Sequence, residues 1–167
     1  MKTFKQLLIE LGACKEAREW AQDMPIEEVV QSCQRGDWLL WIAQKVDIDK
    51  RKLTLAKAHC ANTVRHLMKD ERSTNAIDVA IMYGNGGADD EQLKAAAAAA
   101  ADTAAFYAAA ADAFYAADAA AAAADAAAFY AAAAADARTK NRQQTADICR
   151  EYIGQLIIDK VNELLSK

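Results

Sequence analysis

The residues of this chain that could do chemistry are few and far apart. Four cysteines, Cys14, Cys33, Cys60 and Cys149, include no C-x-x-C pair, and three of them sit in apolar helical patterns. That spacing fits free thiols in a reducing compartment better than a disulfide framework or a metal centre. His59 and His66 are seven apart, two turns along the long helix expected there. Helical zinc pairs use spacings of three or four, so these histidines are expected at a surface or core boundary. Gly84-Asn85-Gly86-Gly87 follows a helical segment. Phosphate loops follow a strand and feed a helix, so this cluster reads as a helix terminator. No Ser-His-Asp set, nucleophile elbow or paired-carboxylate signature is present. No catalytic residue, metal ligand or cofactor is predicted, and the chain is not expected to be an enzyme.

Residues suited to binding are easier to find. Trp38 and Trp41 are three apart on one helix face, with Trp20 nearby in sequence. They suit core anchoring or an aromatic binding surface. Three Phe-Tyr pairs, at 106–107, 114–115 and 129–130, suit core anchoring too. Alternatively Tyr107, Tyr115 and Tyr130 could stack a planar ligand, with Arg138 completing the site. Asp118, Asp125 and Asp136 fall within about 20° of one another at 100° per residue. Such a row is either a solvated face or an acidic surface that steers a basic protein partner.

The elements that must position these residues are helices. Of 167 residues 42 are alanine, against six glycines and one proline. So many strong helix formers and so few breakers leave little room for sheet. Phe4, Leu7, Leu8 and Leu11 recur at helical spacing and Gly12 stops them. A segment from Cys14 to Ala21 follows. Pro25 is expected at the first position of a helix reaching about Gln34, with Glu27 and Glu28 in its first turn. Asp37 is expected to cap a helix carrying Trp38, Leu39, Trp41, Ile42 and Val46. Asp49 opens a longer helix through Leu53, Ala56, Cys60, Val64 and Leu67, ending near Asp70. Ser73 or Thr74 is expected to cap the next, with Ile77, Ala80 and Ile81. The last helix aligns Ile148, Tyr152 and Leu156, widened by Ile153, Val161, Leu164 and Leu165.

Between these lies a tract from 95 to 137 in which 31 of 43 residues are alanine. As one helix it would be about 65 Å long, too long for a domain of this mass. A break near residues 116–118 gathers the first aromatic pairs on one arc and makes Asp118 an N-cap. The expectation is a single all-α domain: a compact multi-helix bundle or short α-solenoid with a central alanine-rich helical hairpin. Amphipathic helices occupy 1–87, alanine-rich helices 88–140 and the C-terminal helix 141–167. A polyalanine expansion in a disordered tail is the competing reading of the tract.

Charge narrows the partners. The net charge is -4, and no basic stripe is visible, which argues against nucleic acid. Asp102, Asp112, Asp118, Asp125 and Asp136 interrupt the alanine tract, each costing about 2.5 to 3.5 kcal/mol near a bilayer centre, so a membrane span is not expected. The first residues hold no secretory h-region, and a cytoplasmic product is expected.

The order Arg35-Gly36-Asp37-Trp38-Leu39-Leu40-Trp41, Ala58-His59-Cys60-Ala61, Asp70-Glu71-Arg72, Ala76-Ile77-Asp78 and then the alanine tract resembles the alanine-rich putative immunity proteins. Those proteins occur in bacterial polymorphic-toxin loci and in phages and prophages. The resemblance runs from about residue 10 to residue 152, and G-D-W-x-L-W is its distinctive piece. It implies an all-helical, non-enzymatic protein that binds and neutralises a toxin, with Asp37, Trp38, Trp41 and Arg72 as motif positions. This chain has nearly pure alanine where those relatives mix in arginine, glutamate and histidine. The expected function is therefore stoichiometric inhibition of a protein effector. The alternatives are a phage-encoded anti-defence protein sequestering a nucleotide-type signal, and a structural homo-oligomer.

Overall fold

Thr3 starts the first helix with a reciprocal cap: its Oγ1 accepts from the Gln6 amide at 3.2 Å while Gln6 Oε1 accepts from the Thr3 amide at 2.8 Å. Both orphan donors are thereby satisfied. The computed structural model describes residues 2–68, 70–101 and 134–167, and the side chains of 101 and 134–138 are outside that description. Its described elements are α1 (Phe4–Glu10), α2 (Lys15–Ala21), α3 (Ile26–Ser32), α4 (Gly36–Lys45), α5 (Lys50–Asn62), a 3-10 turn (Arg65–Leu67), α6 (Glu71–Gly84), α7 (Asp90–Ala101) and α8 (Ala134–Leu165). All regular structure among the described residues is helical.

Three helices end by the same chemistry. After α1, Gly12 takes φ 78°, and the Ala13 amide reaches back to the Leu8 carbonyl at 2.9 Å. After α6, Gly86 takes φ 83° and the Gly87 amide reaches Met82 at 2.8 Å. Asp47, at φ 54°, does the same after α4, sending the Ile48 amide to Ala43 at 3.2 Å. Each left-handed residue satisfies carbonyls the helix would otherwise leave orphaned.

The bundle is organised around α8. Ala146, Cys149, Ile153, Ile157 and Val161, spaced by three or four, are all within 1% of complete burial. They meet Leu39, Ile42 and Ala43 of α4, Leu53, Ala56 and Cys60 of α5, and Ile26, Val29 and Val30 of α3 in one apolar core. At about 1.5 Å per residue, 32 residues give α8 a length of about 48 Å. Its partners are short, so several are needed to cover its stripe. A second, smaller cluster of Ala58, Ala80, Tyr83, Ala88 and Leu93 joins α5 to α6 and α7. Arg51 fixes that corner: its NH1 donates to the carbonyls of Tyr83 at 2.6 Å and Ala88 at 3.2 Å.

Several boundaries differ from those read in the sequence. The helix expected from Asp49 to about Asp70 breaks after Asn62, where Thr63 Oγ1 donates to the Cys60 carbonyl at 2.7 Å and a 3-10 turn follows. His59 and His66 therefore do not share a helix; His59 stacks on Tyr152 at 4.5 Å instead. Neither Ser73 nor Thr74 caps α6. Asp70 does, accepting from the Arg72 amide at 2.8 Å. Pro25 stands at the N-cap of α3, and α3 ends at Ser32. Asp37 lies inside the first turn of α4, because Gly36 is already helical and Arg35 holds the cap position. The C-terminal helix begins at Ala134, within the alanine tract, rather than at 141. The hairpin break expected near residues 116–118 lies outside the described residues.

Candidate functional site

Helices α2 and α4 carry matched apolar stripes. On α2 the stripe is Ala17, Trp20 and Ala21; on α4 it is Trp38, Trp41 and Ile42. Both sets sit at i, i+3, i+4 spacing, so each faces one direction. Where the stripes meet they do not close. They leave a cleft of about 330 Å³, with Phe4 and Leu8 of α1, Val29 and Cys33 as its floor and Cys14 and Asp37 at its edge. All three tryptophans of the chain line it.

Trp20 and Trp38 pack tilted at 57° with ring centroids 5.8 Å apart. Such a tilted pair adds about 0.5 to 1.5 kcal/mol to simple burial. Cations of the chain lie over the α4 tryptophan rings. The Arg35 guanidinium lies 4.6 Å from the Trp38 ring centroid and Lys45 Nζ lies 5.9 Å from that of Trp41. A cation over an aromatic face contributes about 0.5 to 1 kcal/mol where water still reaches it. Both rings also line the cleft.

Arg35 ties the rim together. Its Nε and NH2 donate to the two carboxylate oxygens of Asp37 at 2.8 and 2.6 Å, and NH1 lies 3.5 Å from Glu16 on α2. The bidentate bond to Asp37 holds the Arg35 pKa above its ordinary value. On the floor, Cys33 Sγ donates to the Arg35 carbonyl at 3.4 Å. Burial pushes the Cys33 thiol up, with the neighbouring Asp37 adding to it, so the floor stays uncharged.

Chemically this lining is suited to apolar groups. The ionisable groups of the described lining are Cys14, Cys33 and Asp37. Both Asp37 oxygens are engaged by Arg35, which removes the one carboxylate as a free base beside a thiol. Among the described residues no group of three or more His, Cys, Asp and Glu side chains is placed to hold a metal ion. No described helix is long and apolar enough to cross a membrane.

Of the residues singled out from sequence, Asp37, Trp38 and Trp41 are brought together here, joined by Trp20. Arg72 is elsewhere, donating to Asp70 at the start of α6 at 3.2 Å. Asp118, Asp125, Tyr107, Tyr115 and Tyr130 lie outside the described residues, as do the side chains of Asp136 and Arg138. Sequence reasoning missed Cys14, Glu16 and Arg35 as site residues. The signal for Cys14 was its place one turn before Ala17 on the α2 stripe. For the Arg35 and Glu16 pair there was none, since they are nineteen residues apart and meet only in the fold. Comparison with protein-family models, with curated proteins and with solved structures finds no match for this chain.

Proposed function

We propose that this chain is a non-enzymatic, cytosolic binding protein that neutralises a protein effector by stoichiometric association, with the tryptophan-lined cleft receiving an apolar side chain of the effector. One observation carries the reading: the segment Arg35 to Trp41, which bears the resemblance to immunity proteins, is the segment that builds one wall and the rim of the cleft. An aromatic pocket rimmed by paired charges is the usual form of an energetic hot spot, where a large apolar anchor is desolvated on insertion. The test is native mass spectrometry of the tagged full chain purified gently from cells related to its source. A one-to-one protein adduct is the expected result. A spectrum with no protein adduct, from cells that express the neighbouring gene products, would overturn the reading.

The cleft volume of about 330 Å³ favours a second reading. It falls at the lower end of the range for small-molecule pockets, roughly 300 to 1,000 Å³. In that reading the chain sequesters a small, largely apolar or aromatic ligand, and the same spectrum shows an added mass of a few hundred daltons.

A further inference from the structure

The geometry points to α2 as a hinged lid over the tryptophan-lined cleft, latched shut by Arg35; this rests on the cleft being the binding site. Helix α2 is the least anchored wall of that cleft. It has seven residues and buries only Ala21, whereas α1, of equal length, buries Phe4, Leu7 and Leu8. Helices this short do not persist by propensity alone, so what holds α2 is what it touches. Its N-cap, Cys14, makes no side-chain capping bond.

Residues with positive φ flank both ends of α2. Gly12, at φ 78°, joins it to α1, and no heavy atom lies within 4 Å of where a Cβ would stand. Gln22 closes the other end at φ 42° and ψ -116°, which is uncommon for a residue with a side chain. The side of α2 turned from the cleft is imperfectly seated too: Arg18 Nε, where α2 lines a separate groove with Lys5 and Ile9 of α1, is a buried side-chain nitrogen without a hydrogen-bond partner.

Across the mouth, Arg35 is anchored on the α4 side by Asp37 and by the Trp38 ring, and it reaches Glu16 of α2 at 3.5 Å. The Glu16 side chain is 73% exposed, so this arm of the latch is weak and easily released. Opening exposes the inner faces of Trp20, Trp38 and Trp41 together, and an apolar group that fills the cleft reseats the helix. Arg35 is thus a positioning residue: it sets how often the cleft stands open.

Hydrogen exchange of the free full chain tests this without a partner. The Arg18 and Gln22 amides, which bond the Cys14 and Arg18 carbonyls at 3.1 Å, report α2, and the amides of Ala56 to Cys60 report α5. The α2 amides are expected to exchange at least about 100-fold faster than those of α5, through local opening. Arg35→Gln should speed α2 exchange about fivefold further, and Glu16→Gln, a change at an exposed site, about twofold, both leaving α5 unchanged. Exchange of α2 in step with α5, or rates indifferent to both substitutions, would overturn the lid. A spectrum without adducts would instead remove the binding reading while this exchange pattern stood.

Discussion

Two helix contacts in this protein are built by opposite rules. Where α4 and α5 meet α8, the chain sets glycine, alanine and cysteine among its buried leucines and isoleucines and leaves no room. A Cβ on Gly36 would stand 2.5 Å from Thr145 Oγ1 and 2.7 Å from its carbonyl carbon, while Ala43, Ala56, Ala61 and Ala146 are fully buried. Cys60 and Cys149 bring their sulfurs to 3.9 Å across the same seam. The sulfur contact with Cys60, and then burial, push the Cys149 thiol well up, so this pair stays uncharged in the seam. Where α2 meets α4, the chain uses its three largest residues and leaves about 330 Å³ empty. Size of side chain does not measure tightness of contact. The tight seam has nothing left to bind, and the loose one has apolar surface to offer.

Substitutions should separate the two regions, and the largest effect is expected in the seam. Ile157 is completely buried. Ile157→Ala should cost about 3 to 4 kcal/mol and lower Tm by roughly 6 to 15 °C, because the surrounding helices cannot collapse onto the gap. Differential scanning calorimetry measures it. Gly36→Ala should follow at about 2 to 3 kcal/mol, because the clash is with Thr145 backbone, which does not yield as a side-chain end would. A Gly36→Ala protein as stable as the parent would show that the α4 and α8 contact is slack.

The cleft should respond the other way round. Trp20→Ala removes more atoms than Ile157→Ala but should cost only about 1 kcal/mol of stability, since one side of the ring already faces a void. Its effect belongs in the proposed binding, where losing a central aromatic anchor should weaken a complex with the effector about 30-fold, or about 2 kcal/mol. Isothermal titration beside a thermal melt reads both. A Trp20→Ala protein that unfolds as readily as Ile157→Ala would place the cleft with the core.

The smallest effect is expected from acid, and it should spare both regions. The Arg65 guanidinium, at 2.5 and 2.7 Å, holds the Asp78 carboxyl below the usual range, and the Asn162 amide does so for Glu27. Folded pKa values below the unfolded ones mean stability that is present above about pH 4 and lost as pH falls through the folded values. Tm should therefore decline gently below about pH 4, and Asp78→Asn should flatten the decline. A steeper fall for Asp78→Asn than for the parent would reverse the assigned sign.

The seam was legible in the sequence and the cleft only in part. Ile153, Val161 and their neighbours repeat at helical spacing, and Gly12 and Gly86 mark the stops of α1 and α6, because these signals are local. Trp38 and Trp41 could be placed on one face for the same reason. Asp37 could not be told from a cap by local pattern, because it is the approach of Thr145 to Gly36 that fixes where α4 lies. The break after Asn62 was hidden as well: Val64 keeps the apolar row and stays buried, while Thr63 accepts a bond at 2.9 Å from Asn141, 78 residues away. Whether two apolar stripes close or leave a cleft depends on how α1 and α3 set their separation, and no spacing in α2 or α4 encodes that.

Because the chain has three tryptophans and all line the cleft, their indole N–H signals report that site alone. The most direct measurement is a two-dimensional 1H-15N NMR titration of the labelled chain with the adduct protein identified by native mass spectrometry. All three indole signals are expected to shift together and saturate at one equivalent. A complex that forms at one equivalent while the three indole signals stay where they were would contradict the assignment of the cleft as the binding site.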